Sequence, residues 1–201
     1  MLNVSAAGYY YDYANKQAFT NILVPFGPTS TLINIPRSEA YGFDADTTFV
    51  PMRGVTLHGS ITNTETRVTS PGQLTLDAFG QPVNYVGHSF AYAPKWSAIL
   101  DTEYRRPLFD GIDGLVGGSS YYEGQESADL SNEPIYDIPS HITFDARIGL
   151  SASSGWTATA WVRNIANKFY INDINYTGDS FVSTTGMPRN VGVTFTYQFG
   201  R

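Results

Sequence analysis

The sequence predicts an all-β protein, an antiparallel transmembrane β-barrel meander of about eight strands, and three observations carry that prediction. Apolar and polar residues alternate with period two over segments longer than the roughly 5 to 6 residues of an average strand. Charged residues make up only 15% of the 201 residues, whereas Phe, Trp and Tyr make up 14%; soluble domains are about one quarter charged. Tight turns alternate with long connections, the rhythm of a meander whose turns gather on one rim and whose loops gather on the other.

The elements follow in chain order. Leu2 to Tyr13 has the composition of a strand, rich in Tyr, Gly and Ser, without a decided apolar face, and Asn15 to Thr31 reads as a long connection. Tyr41, Phe43, Ala45, Thr47 and Phe49 then oppose Gly42, Asp44, Asp46 and Thr48. After a short turn at Pro51 to Gly54, Val55, Leu57, Gly59 and Ile61 oppose Thr56, His58, Ser60 and Thr62. A long connection, Thr69 to Pro94, leads to Trp96, Ala98, Leu100, Thr102 and Tyr104 against Ser97, Ile99, Asp101, Glu103 and Arg105. The short step Pro107 to Ile112 and the Tyr- and Gly-rich segment Leu115 to Glu126 come next, followed by an intermediate connection from Ala128 to Pro139.

The last segments alternate most cleanly. Ile142, Phe144, Ala146, Ile148 and Leu150 oppose His141, Thr143, Asp145, Arg147 and Gly149, and beyond Ser153 to Gly155 the residues Trp156, Ala158, Ala160 and Val162 oppose Thr157, Thr159, Trp161 and Arg163. After the long connection Ala166 to Pro188, Val191, Val193, Phe195, Tyr197 and Phe199 oppose Asn190, Gly192, Thr194, Thr196 and Gln198. An even strand count puts both chain ends on the turn side.

A sheet in hydrocarbon must pair all its backbone N–H and C=O groups within the protein, and only a closed barrel does so. Its outer face is apolar with aromatic girdles, and its inner face holds polar groups. On this reading Phe144, Ile148, Val193, Phe195, Tyr197 and Phe199 face lipid, while Asp44, Asp46, Asp101, Glu103, Asp145, Arg147 and Arg163 line the lumen. Alternation alone also fits a soluble sandwich or lipocalin-like barrel with the apolar face inward. Strand length, aromatic abundance and the connection rhythm favour the membrane arrangement.

Other classes find little support. A net charge of -6 and no basic run argue against nucleic-acid binding, and the absence of cysteine removes disulfides, thiolate metal sites and cysteine nucleophiles. No stretch approaches the roughly 18 apolar residues of a membrane helix, and Met1 to Ser5 lacks the features of a secretory signal. His58, His88 and His141 are widely spaced and show no zinc motif; no phosphate-binding loop or nucleophile elbow is present. No metal, cofactor or catalytic residue is therefore expected. Asp44 with Asp46, and Asp101 with Glu103, share a face at a two-residue spacing, which fits a lumen wall better than a glycosidase pair. Arg147 and Arg163 can pair with Asp145 across the hairpin, or with Asp101 and Glu103 farther around the wall. The tyrosines Tyr9, Tyr10, Tyr11 and Tyr13, and Tyr121 with Tyr122, suit either a girdle or a sugar-stacking platform, the girdle being favoured.

The last third of the chain resembles the TonB-dependent outer-membrane receptors. Gly155 to Tyr170, GWTATAWVRNIANKFY, is similar to their penultimate strand and the motif after it, with Asn164 and Ile165 followed by Asn167, Lys168 and Tyr170. Gly186 to Phe199 resembles the closing strand, with Pro188 and Arg189 at its start and an aromatic near its end, although the chain continues through Gly200 and Arg201. SEAYGFDAD at Ser38 to Asp46, Tyr9 to Gln17, and Ala93, Pro94, Lys95 and Trp96 also resemble family segments. The resemblance implies that residues 1–201 are the C-terminal part of a barrel of about 22 strands, lacking the plug domain and signal peptide. It implies a non-enzymatic receptor in the outer membrane of a Gram-negative bacterium. Such a receptor takes up a scarce small molecule, in the ferric siderophore, cobalamin or oligosaccharide class, and is energised by TonB, ExbB and ExbD through the plug. Two other readings stay open: a free-standing eight-stranded outer-membrane barrel with a structural or adhesive role, and a soluble ligand-binding barrel.

Overall fold

A computed structural model describes residues 1–72, 75–77, 79–177 and 180–199. Its strands, in chain order, are β1 (Leu2–Val24), β2 (Gly27–Phe49), β3 (Val55–Val68), β4 (Thr75–Leu76), β5 (Pro82–Val83), β6 (Trp96–Phe109), β7 (Ile112–Glu123), β8 (Glu126–Ser127), β9 (Asp137–Ile138), β10 (His141–Ala152), β11 (Trp156–Arg163), β12 (Ile171–Thr177), β13 (Ser180–Thr185) and β14 (Asn190–Tyr197). Eight of them form one antiparallel meander in the order β1-β2-β3-β6-β7-β10-β11-β14. The other six pair as small hairpins, β4 with β5, β8 with β9 and β12 with β13, inside the connections from β3 to β6, β7 to β10 and β11 to β14. Gly200 and Arg201, which the sequence reading set beyond the closing aromatic, lie outside the described residues.

The sheet is open: β1 and β14 form its two edges, and no pairing joins them among the described residues. The turn rim is built as the glycines predict. Gly54, Gly111 and Gly155 take φ of 83°, 71° and 96°, the left-handed region that a residue with a Cβ avoids. At Gly54 the close approach is also steric, because an added Cβ would run into the carbonyl oxygen of Arg105, whose own N–H donates to Gly54 O at 2.7 Å.

One expected connection is instead strand. Asn15 to Thr31 reads as a long loop, yet β1 and β2 each run 23 residues, paired from Leu2↔Phe49 to Val24↔Gly27 and joined by Pro25 and Phe26. The physical reason is a change of phase. Asn15, at φ 55°, sits opposite Pro36 in a gap in the ladder. On the loop side of that gap Thr20 and Ile35 are buried, whereas on the sheet side Ser38 and Ala40 are. The inward positions thus shift from odd to even along β2, and a single period cannot be fitted across the segment. Among the described residues the protruding hairpin pairs with no third strand, and its inner side packs on the loops.

The two faces of the sheet differ as the alternation predicts. One presents Ile148 (64% exposed), Val193 (76%) and Phe195 (66%) to the surroundings, together with Phe144, Tyr197 and Phe199. Aromatic rings flank this apolar band. Toward the loops Tyr10 stacks on Tyr41 with centroids 6.4 Å apart, and Phe43 meets Trp96 at 5.8 Å. Toward the turns Trp156 stacks on Phe195 at 6.3 Å, and Tyr197 meets Phe199 at 4.7 Å. Beyond the loop-side rings the same face turns charged, with ion pairs Arg37–Asp12 (3.4 Å), Arg67–Glu39 (2.5 Å) and Lys95–Glu65 (3.0 Å).

Candidate functional site

The polar face carries an ion cluster that crosses three strands. Arg147 on β10 donates to both carboxylate oxygens of Asp101 on β6, Nη1 to Oδ2 at 2.7 Å and Nη2 to Oδ1 at 2.9 Å, and Nη2 also reaches Glu103 Oε2 at 3.1 Å. β7 lies between them, and the register sets Gly117 opposite both Arg147 and Glu103. A Cβ at Gly117 would stand 2.8 Å from Arg147 Cζ. The missing side chain is therefore what lets the guanidinium pass. Ser119 Oγ donates to Asp101 Oδ2 at 2.5 Å, and Arg105 donates to Glu103 at 3.1 Å. A bidentate arginine fork between two carboxylates fixes the stagger of β6 against β10.

The other polar-face residues do not join the cluster. Asp145 accepts from the backbone N–H of Asn164 at 2.9 Å instead of pairing with an arginine. Arg163 is exposed and lies over the Trp161 ring, 5.0 Å from its centroid, so the expected pairing of Arg163 with Asp145, Asp101 or Glu103 is not formed. The reason is positional: Arg163 pairs in register with Asn190, next to the edge of the sheet, and the Trp161 ring is its nearest partner. Asp44 accepts from Thr62 Oγ1 at 2.8 Å, and Asp46 is exposed on the same face. The tyrosine run divides by parity. Tyr10 lies with the outer rings, whereas Tyr9, Tyr11 and Tyr13 form a ladder on the polar face with centroids 5.6 and 5.9 Å apart.

At the loop end, the connections fold into a shared cap over the polar face. One apolar core joins Ile35 of the long hairpin, Val68 at the end of β3, Tyr85 and Leu130; a second joins Ala128, Tyr136, Ile138 and Ile174. Asp129, 4% exposed, pins the parts together. Its carboxylate accepts from Thr20 Oγ1 (3.2 Å), Ser131 N (2.8 Å), Asn21 N (3.1 Å) and Asn21 Nδ2 (3.0 Å). Sequence periodicity cannot reveal this residue; Asp129, Ser131 and Asn132 read only as loop composition. Between the hairpin and the cap lies a cleft of about 640 Å³, its walls including Lys16, Phe19, Phe90, Tyr92 and Asp129.

Two acids in the cap are shifted toward neutrality. Burial first, then the charge of Glu123, raises Glu126 to about 7. Burial, followed by the hydrogen bond to Asp77 and the charges of Asp77 and Asp129, raises Glu133 to about 7. Asp77 itself titrates below the usual range: its own burial opposes this, but hydrogen bonds from Glu133 and from the N–H groups of Gln81, Phe79 and Gly80 outweigh it.

The motif after β11 is also explained by geometry. Asn164, 5% exposed with φ 50°, donates through Nδ2 to Lys168 O (2.8 Å) and Met187 O (3.0 Å), and its Oδ1 accepts from Lys168 N (2.8 Å). Asn167, at φ 51°, accepts from Arg189 N at 2.9 Å. Each asparagine suits the left-handed turn and also ties the chain leaving β11 to the chain entering β14.

Comparison with known proteins gives the same architecture. A comparison with curated protein sequences yields no match. Among solved structures, the ferric yersiniabactin uptake receptor FyuA from Yersinia pestis superposes with a TM-score of 0.75 at 17% identity, over 96% of this chain and 27% of that one. The siderophore receptor PiuA from Acinetobacter baumannii gives 0.68 at 19% identity, over 96% and 25%. The copper transporter OprC gives 0.73 at 11% identity, over 98% and 29%. The chain thus spans about a quarter of the length of the receptors it matches. The family model described as TonB dependent receptor-like, beta-barrel, matches residues 1–165, which excludes the closing segment Gly186 to Phe199. Residues 1–165 carry β1 through β11 and the start of the Asn164 motif, and on that match the chain belongs to the TonB-dependent receptor β-barrel family.

Proposed function

We propose that residues 1–201 form the C-terminal part of the barrel wall, with its extracellular loops, of a TonB-dependent receptor in the outer membrane of a Gram-negative bacterium. Its role is non-enzymatic uptake of a scarce small molecule of the ferric siderophore, cobalamin or oligosaccharide class. TonB with ExbB and ExbD supplies the energy through a plug domain encoded outside these residues. Phe144, Ile148, Val193, Phe195, Tyr197 and Phe199 contact lipid; Asp44, Asp46, Asp101, Glu103, Asp145, Arg147 and Arg163 face the lumen. The observation that carries the reading is the apolar band between two aromatic rows, exposed on the face opposite the Arg147 cluster. A soluble barrel would bury that face.

A closed eight-stranded barrel requires β1 to pair with β14, and these strands are the free edges of the sheet. Both edges suit a larger ring completed by further strands. The test uses cells expressing the full receptor gene, with cysteines introduced singly at Phe26 in the hairpin tip and Ser154 in a turn. A membrane-impermeant thiol reagent should label the first in intact cells and the second only after outer-membrane permeabilisation. Equal labelling of both in intact cells would overturn the orientation.

A further inference from the structure

We infer that the charged patch above the loop-side aromatic row, on the lipid-facing side of β1, β2 and β3, seats a phosphate monoester on the headgroup of an outer-leaflet lipid; this rests on the outer-membrane reading and goes beyond it. The strand register stacks the patch in rows. In the lowest row Phe43 lies opposite Asn63, and Asn63 opposite Trp96. In the next Tyr10 lies opposite Tyr41, and Tyr41 opposite Glu65; in the topmost Asp12 lies opposite Glu39, and Glu39 opposite Arg67. Successive rows are two residues apart, about 7 Å along the strands. Aromatic rings at a membrane boundary sit at headgroup depth, so charges one row beyond them stand at the level of lipid phosphates. Tyr10 ties the two levels together, its hydroxyl donating to Glu39 Oε2 at 3.0 Å.

The cations of the patch are turned outward. The side chains of Arg37, Arg67 and Lys95 are 64%, 58% and 64% exposed, against 54%, 12% and 35% for their partners Asp12, Glu39 and Glu65. An anion arriving from the membrane side therefore meets the cations before the carboxylates. Both arginines also keep donors free. Among the described residues Arg67 donates only through Nε, and Arg37 only through Nη1 at 3.4 Å, which leaves both Nη groups of Arg67 and the Nε and Nη2 of Arg37 for a ligand. Arg37 lies diagonally across from Arg67, because Glu39, two residues along β2, is opposite Arg67. Such neighbours stand about 7 to 8 Å apart, a span over which two guanidinium forks converge on one phosphate. Exposed ion pairs hold weakly, so a doubly charged phosphate competes with the internal carboxylates. Lower on the same face Phe43, Ile61 and Leu100 are exposed and offer acyl chains a surface. A free phosphate would engage the cations alone, whereas a lipid covers the apolar band as well.

The test titrates the full receptor, shown to be folded by heat-modifiable mobility in detergent micelles, and counts bound molecules by native mass spectrometry. The probes are bisphosphorylated lipid A, the same lipid with both phosphates removed, and glucosamine 1-phosphate as a soluble phosphate. The wild type should bind the phosphorylated lipid about tenfold more tightly than the dephosphorylated one and should not retain the soluble sugar phosphate. Arg37→Gln combined with Arg67→Gln should abolish that preference. Arg106→Gln, at an exposed arginine toward the turns, should change it less than about twofold, and Glu39→Gln should leave it intact or larger. A wild type that binds both lipids equally, a folded double variant that keeps the preference, or a Glu39→Gln variant that loses it overturns the phosphate seat and leaves the receptor reading standing. Retention of glucosamine 1-phosphate as tight as that of the lipid overturns the lipid as its source. A full chain that never inserts into the outer membrane overturns both readings.

Discussion

Arg147 reaches its carboxylate partners across the bare backbone of Gly117: an added Cβ there would stand 2.8 Å from the guanidinium carbon and 2.8 Å from the carbonyl oxygen of Thr102. The glycine in β7 and the arginine in β10 therefore form one structural unit, although 30 residues separate them in the chain. Gly117→Val should displace the guanidinium, leave Asp101 and Glu103 without their shared cation, and destabilise the barrel by about 2 kcal/mol. Arg147→Ala should cost a similar amount, and the double variant little more than either, because both remove the same interaction. Urea unfolding of the refolded full receptor, followed by tryptophan fluorescence, measures all three; additive losses would show that the two residues act independently.

The face assignment is tested at adjacent positions. Val193→Arg should block membrane insertion, since Val193 lies in the apolar band inside the aromatic rows and a cation on the lipid face near the bilayer midplane costs roughly 2 to 4 kcal/mol. Thr194→Arg should insert, at the cost of the 3.0 Å bond from the Trp161 indole, about 1 kcal/mol. The readout is the heat-modifiable fraction in outer-membrane preparations, and equal damage from both would reverse the faces.

Asn164 combines a left-handed backbone with a buried amide that serves three backbone partners. Asn164→Ala should destabilise by about 3 kcal/mol, through lost hydrogen bonds, exposed-then-orphaned carbonyls and backbone strain. Asn164→Gly loses the bonds but not the backbone freedom, so it should be milder than Ala by about 1 kcal/mol. Proteolysis of the segment between β11 and β14 should increase in the same order.

The cap should be pH-sensitive. Glu126 and Glu133 are raised to about 7 in the folded chain, above their unfolded values. The folded state thus holds more protons than the unfolded state between pH 4.5 and 7. Their contribution to stability is complete below the unfolded value and is lost as the pH rises through about 7. Asp77, shifted downward, acts in the opposite sense and only in acid. Amide exchange of the segments around Leu130 and Tyr85, corrected for intrinsic rates, should therefore be slower at pH 5.5 than at pH 8, conditions chosen as about 1.5 and 1 units on either side of that value. Glu126→Gln combined with Glu133→Gln should flatten the difference, and an undiminished difference in that variant would assign it elsewhere.

The strands, their faces and the turn rim are legible in the sequence because side-chain alternation is a local property of the extended backbone. Ile148 and Val193 on one side, and Arg147 and Asp145 on the other, follow from counting residues within a single strand. The length of β1 and β2 is not legible, since Asn15 and Pro36 reset the count midway. Nor is the identity of the partner of Arg147. Asp145, Asp101 and Glu103 were all within reach by sequence, and the choice depends on a register spanning three strands and on a glycine in the middle one. The cap lies furthest from the sequence. Asp129, Thr20, Tyr85 and Leu130 meet only because loops with no periodic signal bury each other's apolar and polar groups. Backbone chemistry written into neighbouring residues determined which face is apolar and where the chain turns; contacts between residues distant in the chain decided which charges pair, where the hairpin ends and what shape the loop-end cleft takes.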